Sequence, residues 1–453
     1  MGRMPIDSVP TRDNVGSIKP HLLYVAWGFP PCRGSGVYRA WATANAFATA
    51  GWDVTVLTVP REIFTMSTGI DESLERTVHP SINIVRVPFR SAAYQNDLRT
   101  WSSFRAHAPE LWNVVDAKRE QRTFPERTYG SWRPALEAAA DEVHQSHRVD
   151  LVLGTANPNV DFAPGLYLQE QYGVPYVMDY RDAWQLDVFS GARLTSAGSE
   201  VAVLEERLVN GAEAVWFVNE PILRWHADLY PASASRFRVV ANGYDDSPAV
   251  AGRSAVNGLT FGYIGTISAA VPIDALLAGW KRARELSPAL ESAHIELWGH
   301  LNHTGVPNQS VVGQLETLAE NDITYHGPVA KRDISAVYGR FDALLLILGT
   351  GRYVTSGKVF EYAATGLPIA SIHDPMNAAS DVLQDAPAWF PVTDLSADAV
   401  AETLIAASDA AITQGEGERV VAQHWAEQFQ RAQQLDPQIH ALRTFVDQRR
   451  FTA

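Results

Sequence analysis

One stretch near the start of the chain restricts its possible folds more than any other feature. The apolar run HLLYVA at 21–26 is followed by the loop GFPPCRGSG, by apolar residues at helical spacing over 37–50, and by a second apolar run over 52–59. This order predicts a strand, a loop, a helix and a second strand. A crossover helix of this length joins parallel strands in the right-handed sense, so we expect the glycine loop at the carboxyl edge of a parallel sheet.

The same alternation continues through the first half of the chain. Further short, β-branched runs are found at 82–87, 150–154, 176–179 and 214–218. Together they predict one doubly wound α/β domain. The segment 88–148 is rich in Trp, Arg and Gln and has weak periodicity. We therefore expect an insertion of loops and short helices there, and insertions of this kind often contact substrate.

A second α/β unit is predicted after a change in composition. Residues 241–256 are rich in Asn, Gly, Asp, Ser and Pro, which is typical of a linker. Strand patterns then follow at 259–264, 295–298, 323–325 and 343–348, and helical patterns at 333–338 and 359–365. The fold class that follows is α/β, with two Rossmann-like domains in series.

The predicted domain limits are 1–245 for the N-terminal domain and 246–420 for the C-terminal domain. Residues 421–453 are predicted to form a helical tail that packs back toward the N-terminal domain, with a possible break at Pro437. A chain of 453 residues is long enough to support two such cores.

Composition excludes several classes of protein. The formal net charge of −14 argues against a nucleic-acid-binding surface. Cys32 is the only cysteine, so no internal disulfide can form and a reducing compartment is the simpler interpretation. The start has no apolar core of signal-peptide length, and no apolar run is long enough to span a bilayer. We expect a cytoplasmic protein without a transmembrane segment.

The segment TSGKVFEYAATGLPI carries the strongest functional signal. Ser356 and Gly357 precede a predicted helix whose first turn carries Lys358 and Glu361. Free amides and the positive end of the helix dipole form an anion site there, and Lys358 adds a full charge suited to a diphosphate. The carboxylate of Glu361 can accept hydrogen bonds from two ribose hydroxyls. The alternative is a capped helix with a solvated lysine.

A P-loop is excluded by the spacing of this segment. Five residues, not four, separate Gly351 from Gly357, and Lys358 is followed by Val359 where a P-loop has the Ser or Thr that binds magnesium. The first loop likewise lacks the G-x-G-x-x-G spacing of a dinucleotide site, although its glycine amides can still approach a phosphate. A purely structural turn is an equal alternative for that loop.

Metal and nucleophile signals are weak in this sequence. His300 and His303 lie in a loop without a third ligand in view, and no G-x-S-x-G elbow occurs. We therefore expect no metal and no side-chain nucleophile.

Taken together, these motifs resemble the family 4 retaining glycosyltransferases of the GT-B fold. The stretch S-G-K-V-F-E-Y-A-A-T-G-L-P-I is similar to the family signature P-G-K-L-F-E-Y-L-A-A-G-R-P-I. Six further segments follow the family's order: FPPCRGSGVYRAWATANAFATAGWDVTVLT, GVPYVMDYRDAW, NGAEAVWFVNEP, VVANGYDD, FGYIGTI and YHGPV. The resemblance thus extends over most of the chain.

The resemblance implies a hexosyltransferase-like, metal-independent enzyme with a cleft between two Rossmann-like domains. A nucleotide diphosphate sugar, with no other cofactor, is expected mainly against the second domain. A small-molecule, lipid-linked or polysaccharide acceptor is expected mainly against the first domain, and no nucleic acid is expected as a partner. The positions that match the donor site are Gly34, Ser35, Gly36, Gly265, Thr266, Gly299, Gly327, Val329, Ser356, Gly357, Lys358 and Glu361.

Two residues are assigned catalytic roles by the same resemblance. Lys358 is expected to stabilise the leaving diphosphate, and Asp182, in the R-D-x-W motif, to orient an acceptor hydroxyl. An internal ion pair between Arg181 and Asp182 is the structural alternative.

The sequence departs from the family at three positions. Tyr353 stands where many members have a glutamate that holds the donor sugar, and Thr266 and Pro272 stand where many have an arginine and a lysine. Lys358, helped by Arg352, then has to supply the positive charge at the diphosphate. Two other functions stay open: a sugar-nucleotide epimerase of the same fold, and a non-catalytic relative that binds a nucleotide sugar.

Overall fold

A computed structural model describes residues 19–34, 36–95, 97–245, 258–301, 312–313, 317–330, 333–349 and 351–452. Residues in the first half of the chain form one sheet of seven parallel strands, in the order β3-β2-β1-β4-β5-β6-β7. The strands are β1 His21–Val25, β2 Asp53–Thr58, β3 Asn83–Arg86, β4 Leu151–Ala156, β5 Tyr176–Tyr180, β6 Ala214–Phe217 and β7 Phe237–Val239. The first six were expected from the sequence, and the three-residue β7 was not.

Helices on both faces cover this sheet. They are α1 Val37–Thr49, α2 Arg61–Met66, α3 Glu72–Glu75, α4 Ser103–His107, α5 Pro109–Thr123, α6 Arg133–Ser146, α7 Ala163–Tyr172, α8 Glu200–Gly211 and α9 Glu220–Leu229. The insertion at 88–148 contains two helices, α5 and α6, that are longer than the short ones predicted. The pattern of α5 is hard to recognise because it buries Glu120 while Leu111 is 65% exposed.

The second sheet has six parallel strands in the order β10-β9-β8-β11-β12-β13. The strands are β8 Thr260–Ile264, β9 His294–Trp298, β10 Ile323–Gly327, β11 Ala343–Ile347, β12 Ile369–Ile372 and β13 Trp389–Pro391. Among the described residues its helices are α10 Ile273–Leu286, α11 Ile334–Tyr338, α12 Lys358–Thr365, α13 Ala378–Leu383, α14 Ala397–Thr413 and α15 Glu416–Ala426, followed by the tail helix α16 Arg431–Thr452. The prediction of two Rossmann-like domains is confirmed.

Burial on both faces explains why the strand runs are continuously apolar. In β1, Leu23 and Val25 lie in one apolar cluster, whereas Leu22 and Tyr24 lie in another on the opposite face. Successive side chains of a strand point to opposite faces of the sheet. When helices cover both faces, every position of the strand is buried and its sequence is apolar throughout.

The tail helix α16 does not break at Pro437, so the prediction of a possible break there is wrong. The helix runs unbroken from Arg431 to Thr452. Its apolar residues on both sides of the proline, such as Leu435 and Ile439, pack into the cluster that contains residues of α1 and β1. This packing holds the helix on either side of the proline and outweighs its local preference for a break. The predicted linker at 241–256 falls mostly outside the described residues.

A buried ion pair joins the elements of the first domain. The Arg39 guanidinium on α1 donates to the Asp179 carboxylate on β5, with Nε to Oδ2 at 2.8 Å and Nη2 to Oδ1 at 2.5 Å. Arg39 also donates to the Val240 carbonyl at 2.8 Å, and the Thr155 hydroxyl donates to Asp179 at 3.0 Å. The side chain of Arg39 is 6% exposed and that of Asp179 is 0% exposed, so neither charge has water as an alternative partner.

We expect Arg39→Ala to lower the free energy of unfolding by about 3–5 kcal/mol, because it leaves the Asp179 charge buried without a cation. Urea unfolding followed by circular dichroism measures the change. Arg282→Ala is the matched control, since Arg282 pairs with Asp398 at the surface, where both side chains are exposed. A similar loss of stability in both variants would show that burial of the Arg39 pair has no special effect.

Candidate functional site

Three glycines shape the carboxyl edge of the second sheet. The Gly265 amide, just after β8, donates to the Trp298 carbonyl at 2.8 Å, and the Gly299 amide, just after β9, donates to the Gly327 carbonyl at 2.8 Å. Gly299 has φ +137° and Gly327 has φ +80°, conformations that favour glycine. A Cβ built on Gly299 would lie 1.9 Å from the Gly265 carbonyl oxygen. Only glycine therefore lets these loops approach each other at the edge.

Lys358 lies across the end of β8, close to the same backbone. Its Nζ donates to the Tyr263 hydroxyl at 2.8 Å and is 4.3 Å from the centre of the Tyr263 ring. A Cβ on Gly265 would lie 2.3 Å from Nζ, so the absence of a side chain at 265 makes room for the lysine. Desolvation lowers the pKa of Lys358 to about 8, and the nearby Glu361 carboxylate opposes that shift. Lys358 is therefore mainly a cation at neutral pH.

The amino end of α12 has no side-chain cap. Helix α12 begins at Lys358, its N-cap residue is Gly357, and no side chain caps it. A Cβ built on Gly357 would meet no atom within 4 Å. Ser356 precedes this position and is partly exposed. The predicted helix start is thus confirmed, and two of its first amides, those of Val359 and Phe360, bond to the Ser356 and Gly357 carbonyls at 3.2 Å and 3.3 Å.

Glu361 lies one turn into α12 and faces the first domain. The Tyr338 hydroxyl donates to its carboxylate at 3.4 Å. The pKa of Tyr38, near the start of α1, is raised by desolvation first and then by the negative charges of Asp71 and Glu361. The Glu361 charge thus contributes to the environment of Tyr38, after desolvation and Asp71.

The carboxyl edge of the first sheet has a similar arrangement around Arg181. A Cβ on Gly36 would lie 1.3 Å from Nη1 of Arg181, so the guanidinium occupies the space beside this glycine. Arg181 donates through Nε to the Ala156 carbonyl at 2.7 Å and through Nη2 to the Asn157 carbonyl at 3.2 Å. Asp182 instead accepts from the Asn157 side-chain amide at 3.1 Å. Among the described residues Arg181 and Asp182 do not pair with each other, so the alternative of an internal ion pair is wrong.

Sequence reasoning missed Arg181 as a candidate functional residue. The sequence suggested Arg181 only as a partner of Asp182. In the structure, its guanidinium lies against Gly36, in the glycine loop near the start of the same domain. The position of the R-D-x-W motif, directly after a predicted strand, was a weak indication that Arg181 lies at the carboxyl edge of the sheet. Its contact with Gly36 is long-range and cannot be recognised from spacing.

The remaining predicted positions divide between the edges and the domain interior. The Thr266 carbonyl accepts from the Tyr263 hydroxyl at 2.8 Å, next to Lys358. Val329 packs at the rim of an apolar cluster of the second domain. The Gly34 amide lies 3.4 Å from the Cys32 sulfur, and Ser35 lies outside the described residues. The binding roles of all these residues stay predictions.

The two edges do not touch through their charged groups. Within the described chain, none of Gly36, Arg181 and Asp182 bonds to Lys358. His300 is exposed, and His303 lies outside the described residues. In the part of the chain that the structure describes, no cluster of three His, Cys, Asp or Glu side chains is arranged to hold a metal. The expectation of a metal-independent site stays a prediction.

The departures from the family pattern can be located in the structure. Asn219, at the start of α9 in the first domain, donates through Nδ2 to the Tyr353 carbonyl at 2.9 Å and to the Thr355 hydroxyl at 3.0 Å. The loop before α12 is thereby tied to the first domain. Pro272 precedes α10, and Arg352 is exposed beside the Tyr353 ring.

Comparison with known proteins gives a partial sequence match and a full-length structural one. Residues 34–243 match the model of a family described as a glycosyl transferase 4-like domain. No curated protein matches the chain. HepE from Anabaena, solved with UDP, is similar in structure, with a TM-score of 0.63, 14% sequence identity, and coverage of 94% of this chain and 100% of HepE. HepE has also been solved with UDP-glucose.

Two further structures share the architecture. Sucrose-phosphate synthase from Thermosynechococcus elongatus has a TM-score of 0.60 and 14% identity, covering 94% of this chain and 99% of that one. A putative UDP-N-acetylglucosamine 2-epimerase from Listeria monocytogenes has a TM-score of 0.53 and 12% identity, covering 95% and 97%. At these identities the likeness shows the fold, and the fold is GT-B: two Rossmann-like domains that face a central cleft.

We expect Gly299→Ala to lower the free energy of unfolding by about 2–4 kcal/mol, because the new Cβ meets the Gly265 carbonyl at a backbone angle that alanine rarely adopts. Thermal unfolding of the two proteins measures the effect. Gly417→Ala is the control, since Gly417 lies in α15 with open space around it and alanine there should stabilise by up to about 1 kcal/mol. A neutral Gly299→Ala variant would contradict the close packing of the β8 and β9 loops.

Proposed function

We propose that this chain is a glycosyltransferase that moves a sugar from a nucleotide diphosphate sugar to an acceptor hydroxyl in the cleft. The observation that carries the proposal is Lys358, a cation held beside Gly265 at the amino end of α12. A diphosphate is the ligand chemistry that suits a lysine, a helix amino end and glycine turns together. The match of residues 34–243 to a glycosyl transferase 4-like domain supports the same activity.

In this proposal the second domain holds the donor. Lys358 and the amides at the start of α12 stabilise the negative charge that develops on the leaving diphosphate, which is the usual largest contribution to such a reaction. Glu361 accepts hydrogen bonds from the ribose hydroxyls. Arg181 adds a second cation from the first-domain side, since its guanidinium lies at Gly36 on the facing edge. Thr266 and Pro272 stand where many family members have basic residues, and Arg181 can supply the positive charge that these two positions lack.

The first domain is proposed to hold the acceptor near Asp182. Its carboxylate is positioned by the Asn157 amide and can orient a hydroxyl toward the sugar. Following the family resemblance, we propose retention of the anomeric configuration, without a metal, with the donor phosphate taking the acceptor proton. The proposed setting is cytoplasmic synthesis of a polysaccharide or a natural-product glycoside. Domain closure would exclude water, which would otherwise compete as an acceptor.

The first test asks whether the cleft binds a nucleotide sugar and uses it. We expect UDP or another nucleoside diphosphate to raise the melting temperature of the protein, because a ligand present at 100 times its Kd stabilises the folded state by about 2.7 kcal/mol. Lys358→Ala should remove most of this shift and reduce donor turnover roughly 100-fold, the scale seen when a transition-state charge partner is lost. Thermal-shift assays and release of nucleoside diphosphate measure the two effects.

Lys281→Ala is the matched control for that test, since Lys281 is an exposed lysine on α10. Unchanged turnover in Lys358→Ala would refute the assigned role. Conversion of the donor sugar without an acceptor would identify an epimerase instead. A nucleotide-dependent thermal shift without turnover, under any acceptor supplied, would identify a non-catalytic binding protein.

The pKa of Lys358 predicts how donor binding depends on pH. Because the pKa is about 8 in the free protein, the charged form dominates at pH 7 and is lost as the pH rises through 8. Affinity for UDP-glucose should therefore fall above pH 8, by up to roughly tenfold per pH unit. Calorimetric titration from pH 6.5 to 9.5 measures it. Lys358→Arg should bind with little pH dependence, because arginine stays charged throughout. An equal decline in both proteins would contradict the assignment.

A further inference from the structure

Helix α5, in the insertion of the first domain, exposes an apolar surface that the fold does not cover. Leu111 is 65% exposed, Val114 is 55% exposed and Val115 is 56% exposed. At about 100° per residue, these three side chains lie on one face of the helix. A helix that packs on a core normally buries its apolar residues. In α5 these apolar residues face outward, which is the reverse of the usual pattern.

Three cations continue the same face toward the end of α5. Lys118, Arg119 and Arg122 are exposed. Together with the apolar residues they fall within an arc of roughly 140°, and no acidic residue of α5 falls within that arc. None of the three cations forms an ion pair within the described part of the chain. Within this arc of α5, a chain with a net charge of −14 thus exposes only cationic and apolar side chains.

The opposite side of α5 fixes this orientation. The Glu120 carboxylate is 7% exposed and accepts from the Ser91 hydroxyl at 3.1 Å and from the Thr128 amide at 2.7 Å. Beside the exposed arc, the Trp112 ring lies 4.5 Å from the guanidinium of Arg105, which is itself buried. These contacts anchor one face of the helix and leave the other in solvent, so the exposed apolar face is a fixed feature of the domain.

We propose that the face formed by Leu111, Val114, Val115, Lys118, Arg119 and Arg122 docks on an anionic lipid bilayer. Apolar side chains enter the boundary between headgroups and acyl chains, while the neighbouring cations bind lipid phosphates. Charge complementarity selects this partner, because cations grouped beside apolar side chains attract an anionic surface even on a protein of net charge −14. The same insertion also exposes Leu98 (69%) and Phe104 (47%). No helix of the described residues is long and apolar enough to cross a membrane, so this contact is peripheral.

Hydrogen bonds connect the segment that follows the docking face to the proposed acceptor edge. Shortly after α5, the Glu126 carboxylate accepts from the Asn159 amide at 2.9 Å and from the Val160 amide at 2.8 Å. Those residues follow Asn157, whose side chain holds Asp182. Together with the proposed function, on which this step rests, the docking face favours a lipid-linked acceptor over a soluble one.

Co-sedimentation of the full chain with lipid vesicles tests the docking. We expect binding to vesicles of phosphatidylcholine and phosphatidylglycerol at 3:1, much weaker binding to phosphatidylcholine alone, and a decline in 0.5 M NaCl. The variant Lys118→Gln/Arg119→Gln/Arg122→Gln should lower the partition coefficient roughly 100-fold. Val114→Ser/Val115→Ser should lower it about tenfold or more.

Matched controls separate this face from the rest of the surface. Val420 and Val421 on α15 are also adjacent and are 50% and 59% exposed, so Val420→Ser/Val421→Ser should leave binding unchanged. Lys281→Gln should likewise leave it unchanged, in contrast to Lys118→Gln. Absence of wild-type binding to anionic vesicles, or an equal loss in the control variants, would overturn the docking proposal.

Nucleotide binding by the α5 variants separates the docking proposal from the proposed transferase function. All α5 variants should retain the thermal shift with UDP, because the donor edge is in the other domain. Vesicle binding without any nucleotide shift would leave the docking in place and refute the transferase. With the radiolabelled nucleotide sugar that binds best and vesicles of a bacterial total lipid extract, label in the organic phase supports the lipid-linked acceptor. Label confined to water-soluble product overturns it.

Discussion

In each domain, a cation takes up the space that a side chain would occupy at a glycine on the carboxyl edge of the sheet. Lys358 lies against Gly265 in the second domain, and Arg181 lies against Gly36 in the first. Parallel strands end at the same edge, so the loops that follow them gather there and leave little volume for a long charged side chain. Glycine at the contact point resolves this conflict. The positive charge at the cleft therefore depends on two small residues that carry no charge themselves.

This arrangement also accounts for the departures from the family pattern. With Thr266 and Pro272 in place of basic residues, the family's usual source of charge beside β8 is missing. Lys358, which corresponds to the lysine of the family signature, is retained on α12, and Arg181 lies at Gly36 on the edge of the other sheet. Tyr353, in place of a glutamate, contributes its carbonyl to the contact between domains through Asn219. The loop that precedes α12 is thus held by the first domain.

The sequence predicted the parts of the fold that rest on local periodicity. Strands β1 and β8 were recognised because both of their faces are buried, which makes their residues uniformly apolar. Strands β7 and β13 have only three residues and show too little pattern to be recognised, and the four-residue β12 was also missed, although β3 and β6 of the same length were recognised. Helix α5 was underestimated because its polarity is reversed, with Glu120 inside and Leu111 outside. The start of α12 was predicted well, since Gly357, Lys358 and Glu361 act within one turn, whereas the approach of Arg181 to Gly36 depends on tertiary structure alone.

The acidic net charge of the chain is compatible with the anionic ligands proposed for it, because electrostatic forces at a protein surface act over short distances. At physiological ionic strength the screening length is about 8 Å, so a diphosphate in the cleft responds to Lys358 and Arg181 rather than to distant carboxylates. The same reasoning applies to α5, where three unpaired cations lie beside exposed apolar residues. Had those side chains been spread over the surface, each would have been screened by neighbouring acids. Their grouping on one face, opposite the buried Glu120, is the basis of the docking proposed for this part of an acidic protein.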